Sequence, residues 1–365
     1  MSKSSKVIGE GSFGCVHKPS LSCADKKLSY KNKISKVMLT SEAISELKEY
    51  AVISKLDKRN DFYLGVPIKC KVKQSNYTIK SMLKCKRLTK KNRNITSKSQ
   101  LNKMSLIILP DGGLNLKQFI DKIYKQKNRE QATKTITKFW LECHRLFRGL
   151  SAFQKHDIMH HDIKPQNIVY DEKTNRLNFI DFGHMRNIKK EMSLCRNSDS
   201  WSHPFWNYPF ENQFLNKDNY MQFARRTKRE KDEFFDEFIR DFNQGNDTKF
   251  VTAINTFMSY ITEHMDISEK TRVINKYLTT FHKMIINDIT KENYEQFLEK
   301  SLRTFDVFSL GMTLQTILRY CNRLLDQTTI DLLEELFFNM MTPNVLQRYT
   351  IDEAMDKFEK ILQKF

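Results

Sequence analysis

Two polar runs, which flank two short segments of strand-like composition, constrain most strongly what this chain can fold into. Residues 160–167 read His-His-Asp-Ile-Lys-Pro-Gln-Asn, and residues 181–183 read Asp-Phe-Gly. Between them, residues 168–170 and 177–180 have the composition of short strands. Well upstream, residues 9–16 follow the spacing Gly-x-Gly-x-x-Gly-x-Val, which on its own is weak evidence for any function. All three runs in this order on one chain form a specific combination.

This combination resembles the protein kinase family, whose catalytic loop reads H-R-D-L-x-x-x-N and whose metal-binding loop reads D-F-G. Lys164, two residues after Asp162, is the form typical of serine/threonine kinases. The short glycine loop, the Phe-Gly-Cys-Val-His-Lys-Pro run near Cys23 and the 44 lysines against 18 arginines resemble kinases of large nucleocytoplasmic DNA viruses. The resemblance implies an ATP-dependent protein kinase that uses Mg²⁺, with Mn²⁺ as an alternative.

By motif position, the resemblance implies a role for each of four polar residues. Asp162 would accept or orient the proton of the substrate hydroxyl, and Lys164 would lie near the transferred phosphoryl group. Asn167 and Asp181 would hold Mg²⁺ on the phosphates of ATP. These residue types suit the reaction because phosphoryl transfer needs mainly positioning and neutralisation of charge.

The glycine-rich run is expected to cover the nucleotide. Gly9, Gly11 and Gly14 would let backbone N–H groups approach the phosphates with no Cβ in the way, and Val16 would pack over the adenine. Taken alone, the run would more often be an ordinary glycine-rich hairpin. The two polar runs downstream favour the nucleotide-binding interpretation.

Lys36 is the expected phosphate-anchoring lysine, because it ends a strand of alternating apolar residues just before a helix, whereas Lys33 does not. Its ion-pair partner should be a glutamate of that helix. Glu49 fits best, since apolar residues follow it at the spacing seen in the family, and Glu46 is the alternative. The alternative for either glutamate is a purely structural one, in which it forms a solvent-exposed ion pair with a residue four positions away on the same helix.

Length and composition fit a folded chain with two cooperating lobes. The chain has 365 residues, 39% of them hydrophobic, and no apolar run approaches the roughly 20 residues that cross a bilayer. Seven scattered cysteines without a C-x-x-C pair fit reduced thiols better than disulfides or a zinc site. Residues 1–6 lead into glycines rather than an apolar signal core. We expect no structural metal and an intracellular, cytoplasmic location; for a viral protein this would be the host cytoplasm or the virion.

The pattern predicts an α+β fold of the two-lobed protein-kinase type. A small β-rich N-lobe with one main helix would span residues 1–109, and a larger helical C-lobe would span residues 110–365. A helical insertion is expected at about residues 213–300. Strands are predicted at residues 7–17 as a hairpin, 33–39, 77–84 and 106–109, and helices at 41–56, 139–154, 232–242 and 250–261.

Three later segments resemble structural parts of the family. Glu211 ends a Tyr-Pro-Phe-Glu run similar to A-P-E, and Arg348 resembles the arginine that pairs with that glutamate. Asp306 begins a run similar to the buried helix whose aspartate braces the catalytic loop. Between Glu211 and Asp306 lie 94 residues, where the family has only about a dozen. The apolar stripes of this insertion are expected to pack into the C-lobe.

One departure concerns regulation. His161 stands where the family has arginine, which removes the fixed cation that often receives an activation-loop phosphate. We expect activity that does not depend on phosphorylation of the serines of that loop. The serines concerned are Ser193, Ser198, Ser200 and Ser202.

The net charge of +19 is concentrated in the first third of the chain. Residues 1–110 hold 24 Lys or Arg against 7 Asp or Glu, and no acidic residue occurs between Asp61 and Asp111. This face is either a solvated lysine-rich surface or a binding surface for an acidic protein or nucleic acid. A pseudokinase or scaffold acting through it is the alternative to a kinase of protein substrates, and a small-molecule kinase is a third. We expect a monomer.

Overall fold

The computed structural model describes residues 5–11, 14–89, 97–199 and 204–364. The chain forms two compact units, Met1–Gly113 (unit 1) and Leu114–Phe365 (unit 2). Among the described residues, no helix is long and apolar enough to span a membrane.

Unit 1 is built on a five-stranded antiparallel sheet in the order β1-β2-β3-β5-β4. Its strands are β1 (Lys6–Glu10), β2 (Gly14–Lys18), β3 (Lys33–Leu39), β4 (Ile68–Lys71) and β5 (Met104–Pro110). Its helices are α1 (Thr40–Leu56), α2 (Asn76–Met82), α3 (Lys86–Thr89) and α4 (Lys98–Leu101). The buried core lies among the strands and the short helices, with Met82, Leu88 and Leu101 contributing from α2, α3 and α4.

The strand predicted at residues 77–84 is wrong, because this segment forms the helix α2 instead. The side chain of Ser75 caps it by accepting a hydrogen bond from the backbone N–H of Thr78 at 3.2 Å. Thr78, Ser81 and Met82 are buried, and their spacing of three and four residues is helical rather than alternating. Apolar content alone therefore misled the prediction, whereas the cap indicates the helix.

Two disulfides cross the core of unit 1, so the expectation of reduced thiols is wrong for four of the seven cysteines. Cys15 bonds Cys85, and Cys23 bonds Cys70. The partners are 70 and 47 residues apart in the chain. Cysteines this far apart show no pairing motif in the sequence, because only the fold brings them together. The cysteine pattern accordingly gives no support to the expected cytoplasmic location.

Unit 2 is mainly helical, with two small antiparallel sheets. One sheet has the order β6-β8-β9 and the other pairs β7 with β10. The strands are β6 (Leu114–Asn115), β7 (Ile158–Met159), β8 (Ile168–Asp171), β9 (Arg176–Phe179) and β10 (Arg186–Asn187). The helices are α5 (Leu116–Tyr124), α6 (Arg129–Lys155), α7 (Ile188–Arg196), α8 (Lys217–Ala224), α9 (Lys228–Gln244), α10 (Lys249–Ile261), α11 (Ile267–Asn287), α12 (Tyr294–Cys321), α13 (Gln327–Met341) and α14 (Ile351–Leu362).

The insertion is helical and packs into unit 2, as the sequence indicates. Phe257 of α10 stacks on Phe308 of α12 with ring centroids 5.3 Å apart. Phe281 of α11 lies edge-on to Phe210, with centroids 5.6 Å apart. All four rings are buried, so the apolar stripes of the insertion form part of the core of the unit.

Candidate active site

The loop between β7 and β8 is held by a buried carboxylate. Asp306 of α12 accepts hydrogen bonds from the backbone N–H groups of His160 and His161, at 2.5 Å and 2.9 Å. Burial raises the pKa of Asp306, while the two N–H groups act in the opposite direction. His161 adopts a left-handed backbone with φ of 65°, a conformation that non-glycine residues rarely take. The predicted role of Asp306 as a brace of this loop is confirmed.

Asp162 stands at the centre of a dense polar network. The Nζ atom of Lys164 donates to both carboxylate oxygens of Asp162, at 2.8 Å and 2.7 Å. The amide of Asn167 donates to the carboxylate at 2.7 Å and to the Asp162 carbonyl at 2.9 Å. The structure therefore brings together the three residues for which catalytic roles are expected.

The remaining polar pair suits a hard divalent cation. Both N–H donors of the Asn167 amide are directed at Asp162, which leaves the amide oxygen as the group able to bind a metal. The Asn167 carbonyl accepts a hydrogen bond from the N–H of Ile180 at 3.0 Å, and Asp181 follows directly. Amide and carboxylate oxygens are hard ligands of the kind that Mg²⁺ takes. These residues fit the expected metal.

His161 is neutral and packed between aromatic rings. Its ring centroid lies 4.8 Å from that of Tyr208 and 4.7 Å from that of Phe305. Burial, and next the charge of Arg186, lower the pKa of His161 to about 3. This position therefore carries no cation at neutral pH. Of the serines named above, Ser200 and Ser202 lie outside the described residues.

In unit 1 the ion pair forms with Glu46, so Glu49 was the wrong first choice. The Nζ atom of Lys36 lies 2.7 Å from Oε2 of Glu46, and the two side chains are only 12% and 7% exposed. The buried face of α1 runs through Ala43, Glu46, Tyr50 and Ile53. Glu49 lies at the margin of that face, where burial raises its pKa without giving it Lys36 as a partner.

The glycine-rich hairpin places three expected residues in one row. The strand register sets Gly9 opposite Val16 and Val16 opposite Lys36, so their positions share one face of the sheet. Gly14 has a different constraint, because a Cβ there would lie 2.0 Å from the carbonyl oxygen of Val37. Gly11 donates its N–H to the Gly14 carbonyl at 2.9 Å. Ser12 and Phe13 lie outside the described residues.

Asn207 is a site residue that sequence reasoning missed. Its amide donates to the Ile163 carbonyl at 3.1 Å and lies 3.4 Å from the Asp162 carboxylate. Ser309 of α12 donates its hydroxyl to the Asn207 carbonyl at 2.8 Å. None of the motifs described above includes position 207, so no motif indicated this residue. An asparagine one residue before the Tyr-Pro-Phe-Glu run was the only available signal.

A buried ion pair supports the floor of this region. The guanidinium of Arg348 binds both carboxylate oxygens of Glu211, at 2.6 Å and 2.8 Å, and both side chains are completely buried. The pairing expected from the A-P-E-like run is confirmed. It fixes the start of the insertion against the C-terminal part of the chain.

The fold is that of a kinase-like domain, with a small antiparallel sheet at the N-terminal end and a larger helical part after it. Residues 120–197 match a family model described as the ABC1 atypical kinase-like domain. The match extends from within α5 through α7, and so includes the loop of Asp162 and the Asp-Phe-Gly run. It covers less than half of the chain, and it supports a relationship to protein-kinase-like proteins.

Proposed function

We propose that the protein is an ATP-dependent kinase that transfers the γ-phosphate of ATP to serine or threonine hydroxyls of protein substrates. The observation that carries the proposal is the hydrogen-bond network of Asp162, Lys164 and Asn167. Asp181 directly follows Ile180, whose backbone N–H binds the carbonyl of Asn167. Lys164 and Asn167 hold the Asp162 carboxylate in a fixed position, from which it can orient a substrate hydroxyl. Each member is a residue type that phosphoryl transfer uses.

In this proposal the acceptor oxygen bonds to the γ-phosphorus as the bond from phosphorus to the departing ADP oxygen breaks. Asp162 takes the hydroxyl proton, and Lys164 neutralises charge on the phosphoryl oxygens. Lys36, oriented by Glu46, holds the phosphates of ATP. Mg²⁺ held by Asn167 and Asp181 would neutralise further phosphate charge, and Mn²⁺ has similar ligand preferences.

The test is transfer of labelled γ-phosphate from ATP to generic acidic and basic protein acceptors, with Mg²⁺ or Mn²⁺. We expect Asp162→Asn to lower the rate by about 100-fold or more. Asp236→Asn, which removes an exposed carboxylate on α9, is the matched control and should leave the rate unchanged. Phosphoserine or phosphothreonine formed equally by both variants would refute the assignment.

A second candidate is a scaffold that binds nucleotide and acts through the basic surface of unit 1. Within the described part of the acid-free stretch, the exposed cations are Lys71, Lys73, Lys80, Lys84, Lys86 and Lys103. Such a surface attracts an acidic protein or nucleic acid. ATP binding without transfer to any acceptor would favour the scaffold.

A kinase of small molecules is the remaining alternative, and the matched family is itself described as atypical. Lys164 followed by Pro165, together with the A-P-E-like run, favours protein acceptors. Turnover of ATP that leaves every protein acceptor unlabelled would favour a small-molecule acceptor.

A further inference from the structure

We propose that a pocket beside the catalytic loop, built partly by the insertion, binds an acidic segment of the protein substrate. The inference rests on the proposed kinase function and adds a substrate class to it. The pocket has a volume of about 510 Å³ and lies entirely within unit 2. The lining residues on which the argument depends are Lys117, Pro165, Tyr260, Glu263, Lys270 and Tyr320.

The position of the pocket connects it to the reacting residues along two routes. Pro165 forms part of its wall and directly follows Lys164, whose ammonium contacts Asp162. Tyr260 of α10 forms another part and stacks on Trp206, with ring centroids 4.4 Å apart and planes 12° apart. Trp206 precedes Asn207, which also contacts Asp162. A chain bound in the pocket therefore lies beside the site where its hydroxyl would react.

The charges of the pocket favour an anion. Lys117 of α5 and Lys270 of α11 are exposed at its rim, and neither forms an ion pair within the described ranges of the chain. Glu263 also lines the pocket and contributes one negative charge. The two ammonium groups outnumber the single carboxylate, so the lining of the pocket carries a net positive charge that attracts an anion.

The pocket also depends on the insertion for its shape. Tyr260 and Glu263 lie on or just after α10, and Lys270 begins the second turn of α11. Lys117 and Pro165 belong to the parts that resemble the ordinary kinase pattern. The inserted helices therefore supply one wall and one of the two cations, which gives this segment a role in substrate choice.

The experiment compares serine peptides that differ only in residues flanking the acceptor: Asp and Glu, Asn and Gln, or Lys and Arg. We expect the acidic peptide to have the highest kcat/KM. In the double variant Lys117→Ala/Lys270→Ala that advantage should fall by about threefold to tenfold, since each surface ion pair contributes modestly. High salt should reduce it as well. The matched control is Lys357→Ala/Lys360→Ala, two exposed lysines on α14.

Each outcome decides a different question. Equal use of all peptides, preference for the basic peptide, or an unchanged preference in the Lys117/Lys270 variant would overturn the pocket assignment while leaving the kinase intact. If no peptide or protein is phosphorylated, the kinase proposal fails instead. Binding of a labelled acidic peptide, measured by fluorescence anisotropy, still tests the pocket in that case. Affinity that does not change in the Lys117/Lys270 variant would refute it.

Discussion

Glu211 and Arg348 form an ion pair with no solvent exposure, and removing either partner should destabilise unit 2 strongly. A buried pair that loses one member typically costs about 3 to 5 kcal/mol, because the remaining charge stays buried without compensation. In Arg348→Met the one side-chain donor left to the carboxylate of Glu211, among the residues that the structure describes, is the hydroxyl of Ser301 at 2.9 Å. We therefore expect a loss in that range at pH 7.

The contacts also predict which single variant is worse. In Glu211→Gln the guanidinium of Arg348 keeps the Thr342 carbonyl at 2.9 Å and 3.2 Å and the ring of Phe308 at 5.1 Å. The orphaned carboxylate in Arg348→Met has fewer remaining partners and relieves its charge by taking up a proton. For an ordinary glutamate this uptake costs about 4 kcal/mol at pH 7 and about 1 kcal/mol at pH 5. Arg348→Met should cost more at pH 7, and its deficit should shrink as the pH falls.

Urea unfolding followed by circular dichroism at pH 7 and pH 5 measures these differences. The double variant Glu211→Leu/Arg348→Met removes both charges and should be less destabilised than the sum of the single variants. Losses below about 1 kcal/mol in both single variants, additive losses in the double variant, or a deficit independent of pH would each refute the reasoning.

Glu46→Gln should raise KM for ATP and lower kcat/KM by about tenfold or more, whereas steady-state kinetics of Glu49→Gln should stay near the unmodified protein. Because the pKa of His161 is lowered to about 3 in the folded protein, the unfolded chain takes up a proton on this residue at a higher pH than the folded protein does. The stability from this group is complete above about pH 6.5 and declines toward pH 3, by up to about 4 kcal/mol. His161→Phe should flatten that dependence in acid unfolding. Reducing the disulfide between Cys15 and Cys85 should cost up to about 4 kcal/mol in calorimetry, and an unchanged unfolding temperature would contradict it.

The parts of the site that sequence predicted are those whose chemistry is local. Asp162, Lys164 and Asn167 lie within six consecutive residues, so one turn of the loop brings them together. Lys36 was identified from its place at the end of a predicted strand, and the structure sets it opposite Val16 in the pairing of β2 with β3. Such positions depend on short-range geometry, which residue spacing carries directly.

The parts that sequence did not predict depend on contacts between distant segments. To choose between Glu46 and Glu49 one must know which face of α1 is turned toward the sheet. The apolar pattern of the helix does not determine this, because some of its apolar residues, such as Val52, are exposed. Asn207 contacts Asp162, although the two residues are 45 positions apart in the chain. The disulfides depend in the same way on the assembled core.

Helix α12 belongs both to the insertion and to the part of unit 2 that holds the loop of Asp162. Its 28 residues begin in the insertion, at Tyr294, and continue without a break through Asp306. Removing residues 213–300 would cut away the first turns of the same helix that holds the loop of Asp162. Loss of activity in such a deletion would not distinguish a docking role from a collapsed loop, so the contribution of the insertion has to be mapped with surface substitutions.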